Sequence, residues 1–509
     1  MISIKYSADD EYGRYGVEHF IETYGLPMEY KAGKLEYKLE GLKSSFAIEV
    51  SNGKIEKKIC GLLNSQIPVF EFPRKTSSAN SVTSFRNNNE EYACVSYSDR
   101  KIEIGIDIFS EVGHLLSGHT EDLRGSAEYP VVSKLPIADY YERILFDSLL
   151  TAGKKLGVPI LRKSFWPEGK NFALCLTHDV DEVKKKYQYL TRSLKSIKEV
   201  NLKGLGDQLA SLMSKLSGAE PYWDCLETLL EIEKKYNASS TFFFLNEKAS
   251  VKPLEPSSWR HYGRKFNIKA PFIVRKMRKL EQGGWEIGVH GSYYSYKNEK
   301  MLSKEKNELE GLVGKRTTGT RQHCLNLKIP DTFIFQDKVG FEYDSTLGCN
   351  ESPCFRWGTC FPFHILETRK MNKLSLLEIP LIIEDTALHK GRANTWRESE
   401  RLINVVKSYG GVLTLLWHHA VFDRHERPGW AEEYERILKF CHGRNAWITN
   451  GRDICKWWSK RESSVHTLSI NGDKIEITSN SKNVCYLDIF SHKTGCEVIT
   501  FRGKARVKL

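Results

Sequence analysis

The sequence predicts an α/β protein whose central part is built around a parallel β-sheet. Short apolar runs that are typical of buried strands alternate with amphipathic helices between residues 166 and 462. Several of these helices end in Asn or Gly just before the next strand, as helix C-caps do. Repeated βα units require a parallel sheet, so we expect either a doubly wound sheet or a barrel.

The predicted elements of this central part follow one another in regular order. The strands cover residues 172–176, 241–245, 285–289, 377–380, 412–416 and 446–448. The helices include residues 223–236, 271–282, 305–313, 398–409 and 430–441. Residues 184–218 are basic and helical without a strand, so we interpret them as an insertion after the first strand.

Two smaller domains are expected to flank the central one. Residues 1–165 are predicted to form an N-terminal α+β domain, with an Asn-Gly hairpin signal at positions 52–53. Residues 463–509 are predicted to form a small β appendage, with a second Asn-Gly hairpin signal at positions 471–472.

Composition narrows the class of protein. The chain has 509 residues, of which 40% are hydrophobic, and its net charge of +12 comes from basic residues that are spread out. This mild excess does not predict a nucleic-acid partner. The N-terminal residues lack the apolar stretch of a signal peptide, and no apolar run is long enough to span a bilayer. We therefore expect a cytoplasmic protein without a membrane span.

The 12 cysteines are scattered, and most have apolar neighbours, so we interpret them as buried free thiols. Cys349, Cys354 and Cys360 lie closer together but contain no C-x-x-C pair, and a structural zinc site is not expected there.

An acidic pair ends the first strand of the central domain. Asp179 and Asp181 would share one face of an extended chain, while Val180 points away. Two acids at such a place repel each other and lose water, so they are kept where a cation holds them or where chemistry needs them. The alternative is a helix N-cap at Asp181 beside a solvated acid.

Polar residues of suitable kinds also follow other strands or predicted strand ends. They are His290, Arg321, His323, Asp344, Ser345, His418 and His419. A lone histidine after a strand is usually a packed or capping residue. Several strand ends with imidazoles and carboxylates instead favour a divalent metal with an open position for water.

This ordered set resembles the polysaccharide deacetylase family, the NodB-like carbohydrate esterases, over roughly residues 172–458. The resemblance implies an irregular (β/α) barrel of the polysaccharide deacetylase type, with the N-terminal region similar to an accessory domain of some members. The Asp-Val-Asp stretch resembles the first family motif, which implies Asp179 as general base and Asp181 as metal ligand. Arg321 matches the arginine that orients the base, and His418 matches the histidine that serves as general acid.

The second family motif supplies two metal-binding histidines four residues apart. His290 matches the first, but Tyr294 stands at the second position. We nominate His323 as the replacement ligand because it lies just past a predicted strand end; the alternative is that it shapes the substrate pocket. Ser292 and Ser295 would be poor ligands for zinc, which prefers imidazole, thiolate or carboxylate. Zinc is the expected metal, with manganese, cobalt or iron as alternatives.

Three further expectations concern neighbouring residues. His419 could replace His418 as the acid, although the strand register favours His418. Asp344 and Ser345 are expected on the rim of the site. Residues 355–359 resemble a substrate-side loop, in which Arg356 and Trp357 would face a sugar, with core packing as the alternative for Trp357.

The resemblance therefore implies a metal-dependent hydrolase that removes an N-acetyl group from an amino sugar in a polysaccharide or glycan precursor. The expected partner is a glycan or amino-sugar substrate. One alternative is hydrolysis of another non-peptide C–N bond on the same barrel. The other is a non-catalytic glycan-binding protein, because fold does not fix function.

Overall fold

The computed structural model describes residues 2–508 except 8–9, 38–44, 51–54, 63–64, 72–80, 88–89, 99, 125–132, 187, 199, 219, 248–263, 392–393, 472–473 and 492–494. The predicted turn at 52–53 and Gly472 of the second predicted turn lie outside the described residues.

The strands are β1 (Ile2–Lys5), β2 (Met28–Lys31), β3 (Lys34–Tyr37), β4 (Phe46–Val50), β5 (Ile55–Leu62), β6 (Ser65–Glu71), β7 (Ser81–Asn87), β8 (Glu90–Tyr97), β9 (Lys101–Ile104), β10 (Ile160–Lys163), β11 (Phe172–Val180), β12 (Thr241–Leu245), β13 (Glu286–Gly291), β14 (Gly319–Gln322), β15 (Tyr343–Asp344), β16 (Phe363–Glu367), β17 (Asn372–Glu378), β18 (Leu381–Glu384), β19 (Val412–Leu416), β20 (Ala446–Thr449), β21 (His466–Asn471), β22 (Lys474–Ser479), β23 (Cys485–Ser491), β24 (Gly495–Phe501) and β25 (Lys504–Lys508). The α-helices are α1 (Glu11–Tyr24), α2 (Ile108–Leu116), α3 (Ile137–Leu156), α4 (Gln188–Lys198), α5 (Leu202–Leu216), α6 (Pro221–Lys235), α7 (Pro271–Gln282), α8 (Glu299–Val313), α9 (Asp331–Val339), α10 (Asp385–His389), α11 (Thr395–Tyr409), α12 (Trp430–His442) and α13 (Gly451–Ser463).

The chain divides into two compact units. The first comprises Met1–Lys170, Phe355–Asn372 and Lys456–Leu509, and the second comprises Asn171–Cys354 and Lys373–Cys455. The C-terminal β residues thus belong to the same unit as the N-terminal residues. The three consecutive domains expected from the sequence stay a prediction.

The first unit contains a nine-stranded mixed sheet in the order β2-β3-β1-β4-β9-β8-β7-β5-β6. It also contains two three-stranded sheets, β10-β23-β24 and β21-β22-β25, and the strand β16. β21 and β22 pair antiparallel, as the hairpin signal in the sequence predicts.

Arg356 and Trp357 belong to this first unit, and the prediction that they form a substrate-side loop is wrong. Both side chains are buried against Glu121. The Arg356 guanidinium donates to Glu121 at 2.8 and 3.0 Å, and the Trp357 indole N–H donates to the same carboxylate at 2.8 Å. The half-buried Glu121 carboxylate with these donors explains the pair without a sugar, and the alternative of core packing for Trp357 is confirmed.

The second unit confirms the predicted α/β class. Its sheet runs in the order β17-β15-β14-β13-β12-β11-β19-β18, and β20 pairs with the first half of β11. All the pairings between these nine strands are parallel, and the sheet curls into an open half-barrel. α4 and α5 occupy the predicted insertion after β11.

β14 has a polar sequence that does not show the apolar pattern of a strand. Its four residues, Gly-Thr-Arg-Gln, are nevertheless all buried, because β14 lies between β13 and β15. Gly319 is needed at its start, since a Cβ there would lie 2.1 Å from the ring of Tyr343. The predicted strand 377–380 covers the last two residues of β17 and the break at Pro380, and β18 begins directly after it.

No helix among the described residues is both long and apolar enough to cross a membrane. Cys349 and Cys354, which the sequence suggested only as an unexpected zinc site, form a disulfide. The four intervening residues include Pro353 and turn back, which brings the two Cα atoms to 6.1 Å.

Candidate active site

The acidic pair of β11 opens into a cavity of about 270 Å³ in the second unit. Asp179, Asp181 and His418 line it, and three arginines contribute further lining. These arginines are Arg192, Arg264 and Arg427. The cavity lies at the carboxyl ends of parallel strands, which is where α/β sheets bind ligands.

Asp181, which lines this cavity, lies together with His290 and His323. One potential ligand atom from each residue lies within 4.8 Å of the others. The Nε2 atom of His290 is 3.1 Å from Asp181 Oδ1, and the Nε2 atom of His323 is 3.7 Å from Asp181 Oδ2. Ligands bound to zinc at about 2 Å in tetrahedral geometry are separated by roughly 3.3 Å, so this spacing suits such an ion.

The two histidines are held by their other ring nitrogens. His290 Nδ1 lies 2.9 Å from the carbonyl oxygen of Arg321, and His323 Nδ1 lies 3.3 Å from a carboxylate oxygen of Glu247. Each acceptor favours a proton on Nδ1, so Nε2, which lies towards Asp181, is the nitrogen that an ion would bind once it has lost its proton. This arrangement is typical of metal-binding histidines.

Asp181 Oδ1 and His323 Nε2 are buried, and within the described part of the chain neither makes a hydrogen bond of good geometry; the approaches of 3.1 and 3.7 Å given above are ionic contacts. An unpaired buried polar atom is costly unless a ligand satisfies it. Burial alone would lower the pKa of His323, but Asp181 raises that pKa to about 9. The carboxylate therefore attracts positive charge, and the three residues fit a divalent cation.

The structure places Tyr294 away from this group. Tyr294 follows β13 and its side chain is 44% exposed, whereas His323 is 2% exposed and lies in the turn that follows β14. His323 thus lies just past the end of a strand, as predicted.

Asp179 and Arg321 form a buried ion pair. Arg321 Nη1 donates to Asp179 Oδ1 at 3.0 Å and to the Thr177 hydroxyl at 2.8 Å. The opposite side of the guanidinium donates to the Ser345 carbonyl and hydroxyl oxygens at 2.7 and 2.9 Å. Because Arg321 is held on both sides, it fixes the orientation of the Asp179 carboxylate.

Asp344 and Ser345 are not on the rim, and that prediction is wrong. Both are buried, since Ser345 supports Arg321 and Asp344 accepts bonds from Gln336 and Thr346 beneath it. Burial raises the pKa of Asp344, and burial together with Asp344 raises the pKa of Glu378 well above its ordinary value. Asp344 belongs to β15, which pairs with β14 on one side and β17 on the other, so its carboxyl group lies within the sheet and not at the rim of the site.

His418 faces the cavity from the other side and is paired with Asp385. Its Nδ1 lies 3.0 and 3.1 Å from the two Asp385 oxygens, and its backbone N–H donates to Asp385 Oδ2 at 2.6 Å. Its Nε2 points towards Asp181, 4.0 Å away. Burial lowers the pKa of His418, but Asp385, together with Asp181 and Asp179, raises it by more, so this pKa lies well above the ordinary value. The imidazole is therefore held as a cation that can donate a proton into the cavity.

Asp385 is a site residue that sequence reasoning missed. It follows β18, whose apolar residues Leu381, Ile382 and Ile383 end at the acidic pair Glu384-Asp385. This is the same signal that drew attention to Asp179 and Asp181. Glu384 and Asp385 with His418 could also hold a metal, but Glu384 caps α10 through the Ala387 N–H and Asp385 is used by His418.

His419 differs from His418 in its surroundings. It is buried, and burial lowers its pKa to about 4. A histidine that stays neutral at ordinary pH has no proton to give as an acid. The geometry thus agrees with the register argument for His418.

No protein-family model matches the chain, and no curated protein does. Solved structures do match. A protein of Mycobacterium smegmatis assigned as a polysaccharide deacetylase is 19% identical at a TM-score of 0.39, over 59% of this chain and 94% of that one. A Pseudomonas aeruginosa PAO1 protein with the same assignment is 15% identical at 0.38, over 58% and 94%. An allantoinase is also 15% identical at 0.38, over 58% and 93%.

Polysaccharide deacetylases are thus among the solved structures that this chain resembles, as its motifs predict. The function is inferred from the side chains of the site.

Proposed function

We propose that this chain is a metal-dependent hydrolase that removes an N-acetyl group from an amino sugar of a polysaccharide or glycan precursor. The observation that supports it is the convergence of three groups on one cavity. A cation-seeking set (Asp181, His290 and His323) lies beside an oriented carboxylate at Asp179 and a charged imidazole at His418.

Asp181, His290 and His323 would hold the ion. When bound, a divalent cation supplies a Lewis acid that polarises an acyl carbonyl and lowers the pKa of a water molecule. Zinc suits two imidazoles and a carboxylate, and manganese, cobalt or iron could replace it.

Asp179 is proposed as the general base. Its Oδ2 is not the oxygen that Arg321 holds, and it lies 3.5 Å from His290 Nε2, next to the ligand set. A water molecule placed there would lose its proton to Asp179 as its oxygen attacks the carbonyl carbon. Arg321 would hold the carboxylate in a fixed orientation.

His418 is proposed as the general acid. An amine leaves poorly as an anion, so the C–N bond breaks only when the nitrogen receives a proton. The Nε2–H of His418 faces the cavity and would supply it. Water is consumed, and acetate and a free amine are formed.

Metal analysis of protein purified without chelator tests the ligand set. The wild type is expected to retain about one divalent ion per chain after addition of zinc, manganese or cobalt. Asp181→Ala and His323→Ala are expected to lose at least about tenfold in affinity, whereas Tyr294→Ala, the matched control for the competing position, keeps it. Absence of bound metal in the wild type would sink the proposal.

Activity assays then distinguish deacetylation from hydrolysis of another amide and from glycan binding without turnover. Release of acetate from N-acetylglucosamine oligomers, lost in Asp179→Asn, would support deacetylation. The cavity would equally fit hydrolysis of another non-peptide amide, and turnover of a small cyclic amide instead of the oligomers would select that alternative. Metal binding without turnover of either would favour a glycan-binding protein.

A further inference from the structure

The helical insertion after β11 turns its apolar residues towards solvent. α4 and α5 are joined by three residues, and together they are called the hairpin below (residues 188–216). Its large apolar side chains that are more than half exposed include Leu190, Leu194, Ile197, Leu202, Leu209 and Leu216. Scattered exposed leucines are ordinary on protein surfaces, but a contiguous set marks an interaction site.

The exposed residues form one stripe on each helix. On α4 they are spaced by four and three residues, and on α5 Leu202, Leu209 and Leu216 are spaced by seven. Residues with these spacings lie on one face of a helix. Each helix therefore presents a continuous apolar face.

Several polar residues of the hairpin face inward. Ser211 is fully buried and accepts a bond from Lys185 Nζ at 3.2 Å, and buried Gln208 donates to the His425 carbonyl at 3.4 Å. Arg192 pairs with Glu426 at 3.0 Å. A helix on a water-soluble protein normally does the opposite and buries its leucines. The leucines of this hairpin are thus left for something outside the second unit's own fold.

The hairpin and the residues just before it are also basic. The hairpin (188–216) contains five Lys or Arg and two Asp or Glu, a net charge of +3, and Lys184 to Lys186 precede it; of these three, Lys185 is buried and paired with Asp423 and Glu426. Lys184, Lys198 and Lys203 are exposed. The surface therefore combines apolar stripes with flanking positive charge.

We propose that the hairpin is a docking surface for a lipid bilayer with anionic headgroups. An interfacial helix of this kind places its apolar face at the boundary of the acyl chains and its lysines among the headgroups. A second copy of this chain is a poorer occupant, because it would bring two surfaces of the same positive charge together.

Docking would bring the cavity to the membrane surface. Gln188, Thr191 and Arg192 of α4 line the cavity that contains Asp179 and Asp181. If the proposed hydrolase function holds, its substrate would be an amino-sugar glycan carried on the membrane. Docking itself does not depend on that function.

Cosedimentation of the full chain with vesicles tests the docking. Vesicles of phosphatidylcholine and phosphatidylglycerol at about 3:1 are compared with phosphatidylcholine alone. The wild type is expected to bind the anionic vesicles, less strongly at high salt. The double variant Leu194→Gln/Leu209→Gln, which removes apolar surface, is expected to bind the vesicles about tenfold less tightly or worse. The double variant Lys198→Gln/Lys203→Gln, which removes positive charge, is expected to lose about fivefold in affinity for each lysine replaced.

The control carries Val465→Thr and Val498→Thr, which alter exposed apolar residues elsewhere and should bind as the wild type does. Thermal unfolding confirms that every variant is folded. Failure of the wild type to bind, or equal binding by the leucine variant, overturns the proposal. It is also overturned if the wild type without lipid sediments as a dimer that the leucine variant dissociates, which would make the hairpin a contact between copies. Since no arm measures turnover or metal, the result is independent of the hydrolase proposal.

Discussion

Replacing Asp385 with Asn tests whether its charge controls His418. Both Asp385 oxygens lie 3.0 to 3.1 Å from His418 Nδ1, and Asp385 itself is fully buried. Unit charges about 4 Å apart interact by about 4 kcal/mol at an effective dielectric constant of 20. The His418 side chain is 23% exposed, which weakens this interaction.

We therefore expect Asp385→Asn to lower kcat by roughly a hundred- to a thousandfold near neutral pH, because the imidazolium is no longer favoured. The pKa of His418 should fall, so that the alkaline limb of the pH–rate profile moves to lower pH. The assay is the initial rate of acetate release over a pH series, with metal content measured in the same samples.

Glu384→Gln is the matched control, since a Gln can still cap α10 and leaves the Asp385–His418 pair intact. It should retain most of the activity. If Asp385→Asn keeps both the rate and the pH profile of the wild type, the argument that His418 donates the proton as a cation is refuted.

Three further predictions follow from other buried charges. Arg321→Lys should lower activity at least about tenfold and also lower the melting temperature, because one ammonium group cannot replace the hydrogen bonds of the guanidinium. Unchanged activity and melting temperature would show that the orientation of the base does not matter. Metal affinity should rise about tenfold per pH unit up to about pH 9, because His323, whose pKa is raised to about 9, must lose its proton before it can bind the ion. Competition with a chelator measures this affinity, and an affinity that does not change with pH would exclude His323 as a ligand. Burial lowers the pKa of His19, but Glu142 raises it by more, so its stabilising effect is complete below about pH 6.5 and is lost as pH rises through the folded-state pKa. Thermal unfolding should show this decline, and Glu142→Gln should abolish it.

Much of the candidate site could be located from the sequence because strand ends are marked by a change in residue type. At Asp179, His290 and His418 an apolar run stops at a titratable residue, and the structure brings these positions to one edge of the sheet. Parallel βα units make this outcome a matter of topology, since all the strands then end on the same side. The roles of these residues stay predictions.

The errors arise where side-chain partners decide the outcome. Asp344 looked like a rim residue, but its buried position depends on contacts with Gln336 and Thr346 that local sequence does not encode. Trp357 and Arg356 are explained by Glu121, more than 200 positions away along the chain. A polar strand such as β14 escapes detection for the same reason, because its neighbours determine its pairing.

β11 carries the two acids in unequal settings. Residues 172–180 are all buried; β20 and then β12 pair along one edge of β11, and β19 pairs with residues 173–177 along the other. Their amide hydrogens should exchange with solvent only when the second unit unfolds as a whole. Asp179 lies inside this stretch, whereas Asp181 lies just beyond its end. Binding of an ion should therefore slow amide exchange at Asp181 and the residues after it, and leave the rate at Asp179 almost unchanged.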